Sequence, residues 1–478
     1  AGVDRGPTHY TKVLSAARDT GVKHMVPFAT AHMAACHLSQ GNPDRALEMI
    51  RQMESSADQF GIWGKALYLV VKAWAAMLRE DAPQADFYSE AACRNTLKAG
   101  GAQQYAVALL CRGIAYKMRG NRLEAKNCLA KALDICCKFP AYQTETACRL
   151  VQAEVLLEEG DMNCALHFLT DAFSMTKKYG YRNFYFWRPE AMARLCALAF
   201  EHDIETGYVR SLVIQRHLKP PAAFPPENWP WPLKIYTLGR FRIFRHEKLM
   251  VFKGKAPKRP LRLWQTLIAR GGTDVPETRL QDELWPDMDG DDAHNAFHMA
   301  LYRLRKLLGV DGAVKMSGGR VSFDRRVVWI DAFALKDRIK EMERCLGKED
   351  FDRLFPLFDT SFELYAGPFL AGEEEPPEVL FRERIEQSFL KLLSGAGEYL
   401  EKKEQWREAE AIFRRGLRIA PVQENLYRHV MHCCERQGRF AEAVSVYKSF
   451  EKKLALLSGI APGPQIKSLY SSIKRKSS

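Results

Sequence analysis

Residues 287–308 read DMDGDDAHNAFHMALYRLRKLL, and the second half of that stretch carries side chains able to recognise a polyanion. Phe297, Leu301, Leu304 and Leu308 follow i, i+4, i+7, i+11 spacing, so they form one apolar helical stripe with Ala300 at its edge. Asn295, Met299, Tyr302, Arg303 and Lys306 then fall on the opposite face, with His298 and Arg305 on its flanks. A helix fits the DNA major groove, where Arg pairs bidentately with guanine and Asn with adenine, while Lys and Tyr hold phosphates. The face is suited to reading bases with Asn295, His298, Tyr302 and Arg303, and to holding the backbone with Arg305 and Lys306.

Further cations extend that surface. Lys253, Lys255, Lys258, Arg259 and Arg262 cluster before and at the start of an earlier helix, and Arg320, Arg325 and Arg326 lie in or beside a later hairpin. Residues 233–331 hold 19 Lys and Arg against 12 Asp and Glu, a local excess that fits a phosphate-facing surface. The whole chain has net charge +13, which attracts polyanions but does not by itself separate nucleic acid from an anionic membrane. The acidic run at 287–292 favours the N-terminus of the following helix and repels phosphate, so its loop is expected to point away from DNA.

Other chemistries find little support. His294 and His298 share the i, i+4 spacing of a metal pair, and His429, His432, Cys433 and Cys434 lie close together. The groove face accounts for His298, and the second group reads as a packed repeat helix, so no metal site is expected. GxSxG, HExxH, dinucleotide-binding and GxxxxGK[ST] patterns are all missing, so neither enzymatic activity nor a cofactor is expected in this chain; any ATP-binding module is missing or lies upstream.

The helix must be positioned by its neighbours. LKIYTLGRFRIF, a turn at Arg245-His246-Glu247 and KLMVF alternate as a small antiparallel sheet. A first helix runs from about Pro260 to a stop at Gly271-Gly272, and a second follows Asp274 with Pro276 in its first turn, ending at Pro286. The third, 293–308, precedes two short strands around Gly318-Gly319 and then Val327-Val328-Trp329-Ile330. Sheet, three helices and a terminal hairpin make a winged helix. With Glu283-Leu284-Trp285-Pro286, Arg303-Leu304-Arg305-Lys306-Leu307-Leu308, the Gly-Gly wing and Val328-Trp329-Ile330-Asp331, it resembles the OmpR/PhoB-type DNA-binding domain of SARP-like activators. The resemblance implies base contacts near Tyr302 and Arg303, although a Tyr at 302 departs from the commoner Arg or Ser and leaves the sequence preference open.

Helical repeats flank this domain. Ala46, Ala85, Ala125 and Ala165 recur at about 40-residue intervals, with Met53, Ala92, Ala132 and Ala172 seven positions later. Turns at Gly41-Asn42-Pro43, Gly120-Asn121 and Gly160-Asp161 divide each unit into two amphipathic helices. The array resembles the lengthened tetratricopeptide repeats of MalT-like sensor proteins, which implies effector or partner binding on its concave face. Residues 219–232, KPPAAFPPENWPWP, cannot continue a helix and mark a boundary, with Trp229 and Trp231 expected to pack on a neighbouring domain. Past residue 351, Ala409 and Ala443 lie 34 positions apart, with Gly397, Phe413, Pro421, Gly438 and Tyr447 at tetratricopeptide positions. With Glu363-Leu364-Tyr365-Ala366-Gly367-Pro368-Phe369-Leu370 before them and Leu457-Ser458-Gly459-Ile460-Ala461-Pro462 after, these repeats are similar to the bacterial transcriptional activation domain.

The expected fold is mainly α: two TPR-like α-helical repeat modules flanking a small α/β winged-helix domain. The expected divisions are 1–218 (sensor repeats), 219–232 (linker), 233–335 (DNA binding) and 336–478 (activation). Twelve cysteines without a CxxC pair suit the reducing cytosol. No apolar run approaches the roughly 18 residues of a membrane span, and the start has neither a leader-like pattern nor a Met, so it reads as a fragment in the cytoplasm without a membrane partner. The reading is a sequence-specific transcriptional activator of double-stranded promoter DNA. The resemblance implies RNA polymerase and a second copy, head-to-tail on direct repeats, as further partners. An alternative reading is a protein-interaction scaffold that uses its winged helix for docking.

Overall fold

Alanine every 39 or 40 residues lets paired helices approach closely, and the repeat forms as hairpins for that reason. The computed structural model describes residues 5–20, 22, 25–54, 61–221, 226–251 and 257–477. Two compact units divide at Pro230 and Trp231. The first contains α1 (Arg5–Asp19), α2 (Met25–Ser39), α3 (Pro43–Glu54), α4 (Ile62–Leu78), α5 (Ala82–Ala99) and α6 (Ala102–Met118). It continues through α7 (Arg122–Lys138), α8 (Tyr142–Glu159), α9 (Met162–Tyr179), α10 (Pro189–Glu201) and α11 (Thr206–Gln215). Ala46, Ala85, Ala125 and Ala165 sit near the starts of α3, α5, α7 and α9, all completely buried, as are Ala92, Ala132 and Ala172.

The turns have a repeated chemistry as well. The side chains of Asp81, Asn121 and Asp161 accept from the backbone N–H three residues on (3.1, 3.3 and 3.1 Å), capping α5, α7 and α9. Gly160 takes φ +85°, a left-handed conformation that ends α8 where a side chain would be strained. After α11 the proline-dense segment is partly docked: Trp229 is buried edge-to-face against Phe200, and the Asn228 amide donates to the Phe200 carbonyl.

The second unit begins with β1 (Leu233–Tyr236), β2 (Arg242–Arg245) and β3 (Lys248–Leu249). Next come α12 (Lys258–Ala269), β4 (Val275–Pro276), α13 (Glu277–Leu284), α14 (Gly290–Leu308), β5 (Val314–Ser317), β6 (Arg320–Phe323) and β7 (Val328–Ile330). One sheet has order β3-β2-β1-β7, with β7 parallel to β1; the other has order β4-β6-β5. Pro276 precedes α13 as its N-cap and pairs in β4 with Arg320, whereas the sequence pattern put it in the helix's first turn; the strand pairing holds its ψ at 135°. α14 starts at Gly290, a turn earlier than expected, so Asp291 and Asp292 lie inside its first turn, where the helix dipole favours them.

The chain then runs through α15 (Asp331–Gly347), α16 (Phe351–Leu364), α17 (Pro376–Lys402), α18 (Trp406–Ile419), α19 (Glu424–Arg436), α20 (Phe440–Ser458) and α21 (Pro464–Ser477). Ala409 and Ala443 are fully buried on α18 and α20. Gly397 makes room for the Phe413 ring, which would lie 2.3 Å from a Cβ at 397. The 335/336 division expected from the sequence falls inside α15, because that helix starts on the last sheet strand and runs unbroken into the repeats.

Candidate nucleic-acid interface

α14 buries Phe297, Ala300, Leu301, Leu304 and Leu308, the stripe expected from spacing, and Ala293 one turn before it. Its other face leaves Asn295, His298, Met299, Tyr302, Arg303 and Lys306 exposed to solvent. Met299 and Tyr302 are 50% and 62% exposed, apolar surface of the kind that packs against thymine methyls in a groove.

Lys258 and Arg259 in the first turn of α12 line the same surface groove as Arg303, Lys306 and Leu307 of α14, together with Pro257 and Pro260. These four cations have no carboxylate within ion-pair distance among the described residues. Two of them sit at a helix N-terminus, where the dipole opposes positive charge and attracts an anion, so their placement does not serve helix stability.

Arg262, Arg305, Arg320, Arg325 and Arg326 have partners within the chain. Arg262 lies 2.8, 3.4 and 3.6 Å from Glu373, Glu375 and the fully buried Glu378. Arg305 donates from Nε to the Val314 carbonyl at 3.1 Å, bracing the wing. Arg320 pairs with Asp274 at 2.9 Å, Arg325 with Asp337 at 3.2 Å and Arg326 with Asp324 at 2.6 Å. Arg326 and Lys315 hold the Asp324 carboxyl well below the usual range. The Arg320–Asp274 and Arg325–Asp337 pairs are open to solvent, so they are weak and can be exchanged for phosphate, whereas Arg326 is held by three bonds to the half-buried Asp324. Lys253 and Lys255 lie outside the described residues.

His298 has an internal partner that spacing could not reveal: its Nε2 is 3.2 Å from Oε1 of Glu277, which also lies 2.8 Å from Nδ1 of His294. Glu277 stands 17 positions before His294 with no periodic relation to it, so only the packing of α13 against α14 joins them.

Residues 330–474 match the family model for the bacterial transcriptional activator domain. The chain is 28% identical over 245 residues to the regulatory protein AfsR of Streptomyces griseus and 27% identical over 239 residues to AfsR of Streptomyces coelicolor. The chain is SARP-like. The matches take in 51% and 50% of it but only 24% of each AfsR, so the chain spans about a quarter of the length of these curated relatives. A solved structure of Mycobacterium tuberculosis EmbR, in complex with a low-affinity phosphopeptide, is similar at 18% identity and TM-score 0.39, covering 51% of this chain and 65% of that one.

In this SARP-like chain the activator domain is built onto the winged helix. The Asp331 carboxylate at the head of α15 accepts from the Thr237 N–H (2.7 Å), the Thr237 hydroxyl (2.6 Å), the Leu238 N–H (2.9 Å) and the Ala332 N–H (2.7 Å). Leu370 donates its N–H to the Thr237 carbonyl at 2.7 Å, and Gly239 to Pro368 at 3.0 Å. A Cβ at Gly367 would lie 3.1 Å from the Gly239 Cα and one at Gly239 3.2 Å from the Ala366 carbonyl oxygen, so a side chain at either would crowd this backbone approach. Thr266 of α12 donates to the buried Glu378 at 3.0 Å. α12 is thereby held by the activator domain on one side and by α14 on the other. Among the described residues no helix is long and apolar enough to cross a membrane.

Proposed function

We propose that this chain is a sequence-specific DNA-binding transcriptional activator whose helix α14 enters the major groove of promoter DNA. The observation that carries this is the gathering of unpaired Lys258, Arg259, Arg303 and Lys306 in one groove beside the exposed Asn295, Met299 and Tyr302 face. Asn295, Tyr302 and Arg303 contact base edges, and Lys258, Arg259 and Lys306 hold phosphates. Arg320, Arg325 and Arg326 contribute from the wing, the first two by exchanging weak internal pairs for phosphate. The activator domain meets RNA polymerase and a neighbouring copy bound head-to-tail on a direct repeat, and the N-terminal repeats take an effector or partner protein. The functional division is residues 1–218 for sensing, 219–232 as connection, 233–335 for DNA and 336–478 for activation, with α15 shared by the last two.

The test is binding of the whole chain to fragments of its own upstream region, titrated in salt. A complex far tighter than on competitor DNA is expected, and Arg303→Ala should flatten the preference among sequences. Lys258→Ala should instead weaken all sequences alike and reduce the salt slope by about one. Equal, weak binding to every fragment, unchanged in both variants, would favour the docking scaffold.

A further inference from the structure

A buried carboxylate needs a positive partner or several donors, and Glu277 is such a carboxylate. It is 8% exposed, and no Lys or Arg lies within ion-pair distance of it among the described residues. Its Oε1 is instead surrounded by three side-chain nitrogens: Gln281 Nε2 at 2.7 Å, His294 Nδ1 at 2.8 Å and His298 Nε2 at 3.2 Å. The ligand atoms of Glu277, His294 and His298 all lie within 4.8 Å of one another.

We propose that Glu277, His294 and His298 form a binding site for a zinc-class divalent metal ion, with two imidazole nitrogens and one carboxylate oxygen as ligands and a fourth position open to solvent. Ligands at roughly 2.0–2.1 Å from a tetrahedral ion stand roughly 3.3 Å apart, so the Glu277–His298 separation of 3.2 Å already fits and the Glu277–His294 separation of 2.8 Å needs to open by about 0.5 Å. The scaffold holds the ligands in place. His294 and His298 are one turn apart on α14, and the Glu277 backbone N–H donates to the Gly319 carbonyl in the wing at 2.9 Å. The imidazoles are 54% and 43% exposed, which leaves an entry path. Two imidazoles and a carboxylate suit zinc and its neighbours better than magnesium or calcium, which prefer oxygen ligands.

A second acidic cluster, Glu410, Cys434 and Glu442, differs in the decisive respect. Arg414 and Arg439 pair with both of its carboxylates, so its charge is already met. Bound metal at Glu277 would pin α13 to α14 and hold His298 away from base edges.

The measurement is calorimetric titration of the full chain with Zn2+ under reducing conditions, beside His294→Ala and Glu277→Gln. No DNA is present, so the result is independent of the DNA-binding reading. The thiols are common to all three proteins and cancel in the comparison. His294 is exposed and its substitution spares the core, which keeps the test valid if Glu277→Gln weakens folding. One site present in the parent and weakened at least about tenfold in His294→Ala is the expected result. The same isotherm in parent and His294→Ala would overturn the proposal and leave the three side chains as a hydrogen-bonded knot.

Discussion

At the scale of single residues, two charges of equal appearance in the sequence do different work. Arg259 and Arg262 are three positions apart on α12, yet Arg262 is turned onto Glu373, Glu375 and Glu378 while Arg259 faces the groove. Arg262→Ala leaves the buried Glu378 carboxylate without a countercharge, so it should cost about 1–3 kcal/mol of stability in chemical unfolding. The corresponding Arg259→Ala should leave stability within about 0.5 kcal/mol of the parent. Asp331 gives a prediction with a definite sign. Burial pushes its carboxyl up to about 6 from an ordinary 3.8, against the donors of Thr237, Leu238 and Ala332 that pull it down. Because the folded chain keeps that proton longer than the unfolded chain, the contribution is fully present below about pH 4 and is lost as pH rises through about 6, on the order of 3 kcal/mol. Unfolding midpoints across that window should therefore fall more in the parent than in Asp331→Asn, and parallel curves would refute the assignment.

At the scale of elements, the connection from α12 to β4 shows how a short motif can hide two unlike positions. Gly271 and Gly272 have φ of +92° and +65°, so both suit glycine. A Cβ at Gly271 would meet open space, whereas one at Gly272 would lie 1.6 Å from the Phe323 ring at the base of the wing. Gly271→Ala should cost about 1 kcal/mol from backbone strain alone, and Gly272→Ala a further 1–3 kcal/mol or so from overpacking. Thermal unfolding of the two variants side by side checks the ranking. The double glycine was readable as a helix stop; its unequal weights follow from the wing folding back over α12, a contact across about fifty residues that no local pattern records.

At the scale of the whole molecule, the division at Pro230 and Trp231 identifies where the chain can be cut. A fragment of residues 231–478 keeps both sheets, α12 to α14 and the activator repeats, and is expected to fold alone. The short proline-rich connection motivates the expectation that the N-terminal repeats restrain DNA binding. The fragment should then bind promoter DNA more tightly than the full chain in a gel-shift titration. Equal affinity would remove restraint from the account and leave the repeats as a recruiting surface.

What the sequence determined by itself was periodic and local. The 39–40-residue alanine spacing, the α14 stripe and the 34-residue spacing of Ala409 and Ala443 each report a helix face that must be buried, and each is buried. Small residues and apolar periods are selected by nearest neighbours, so one strand of sequence carries them. Which cations are unpaired was decided elsewhere. Lys258 and Arg259 join Arg303 and Lys306 only because α12 packs on α14, and Arg262 leaves that group only because the activator domain brings Glu378 to it. Glu277 meets His294 and His298 by the same kind of event. Pairing of charges depends on distances through space between elements far apart in the chain, and those distances exist only in the tertiary structure.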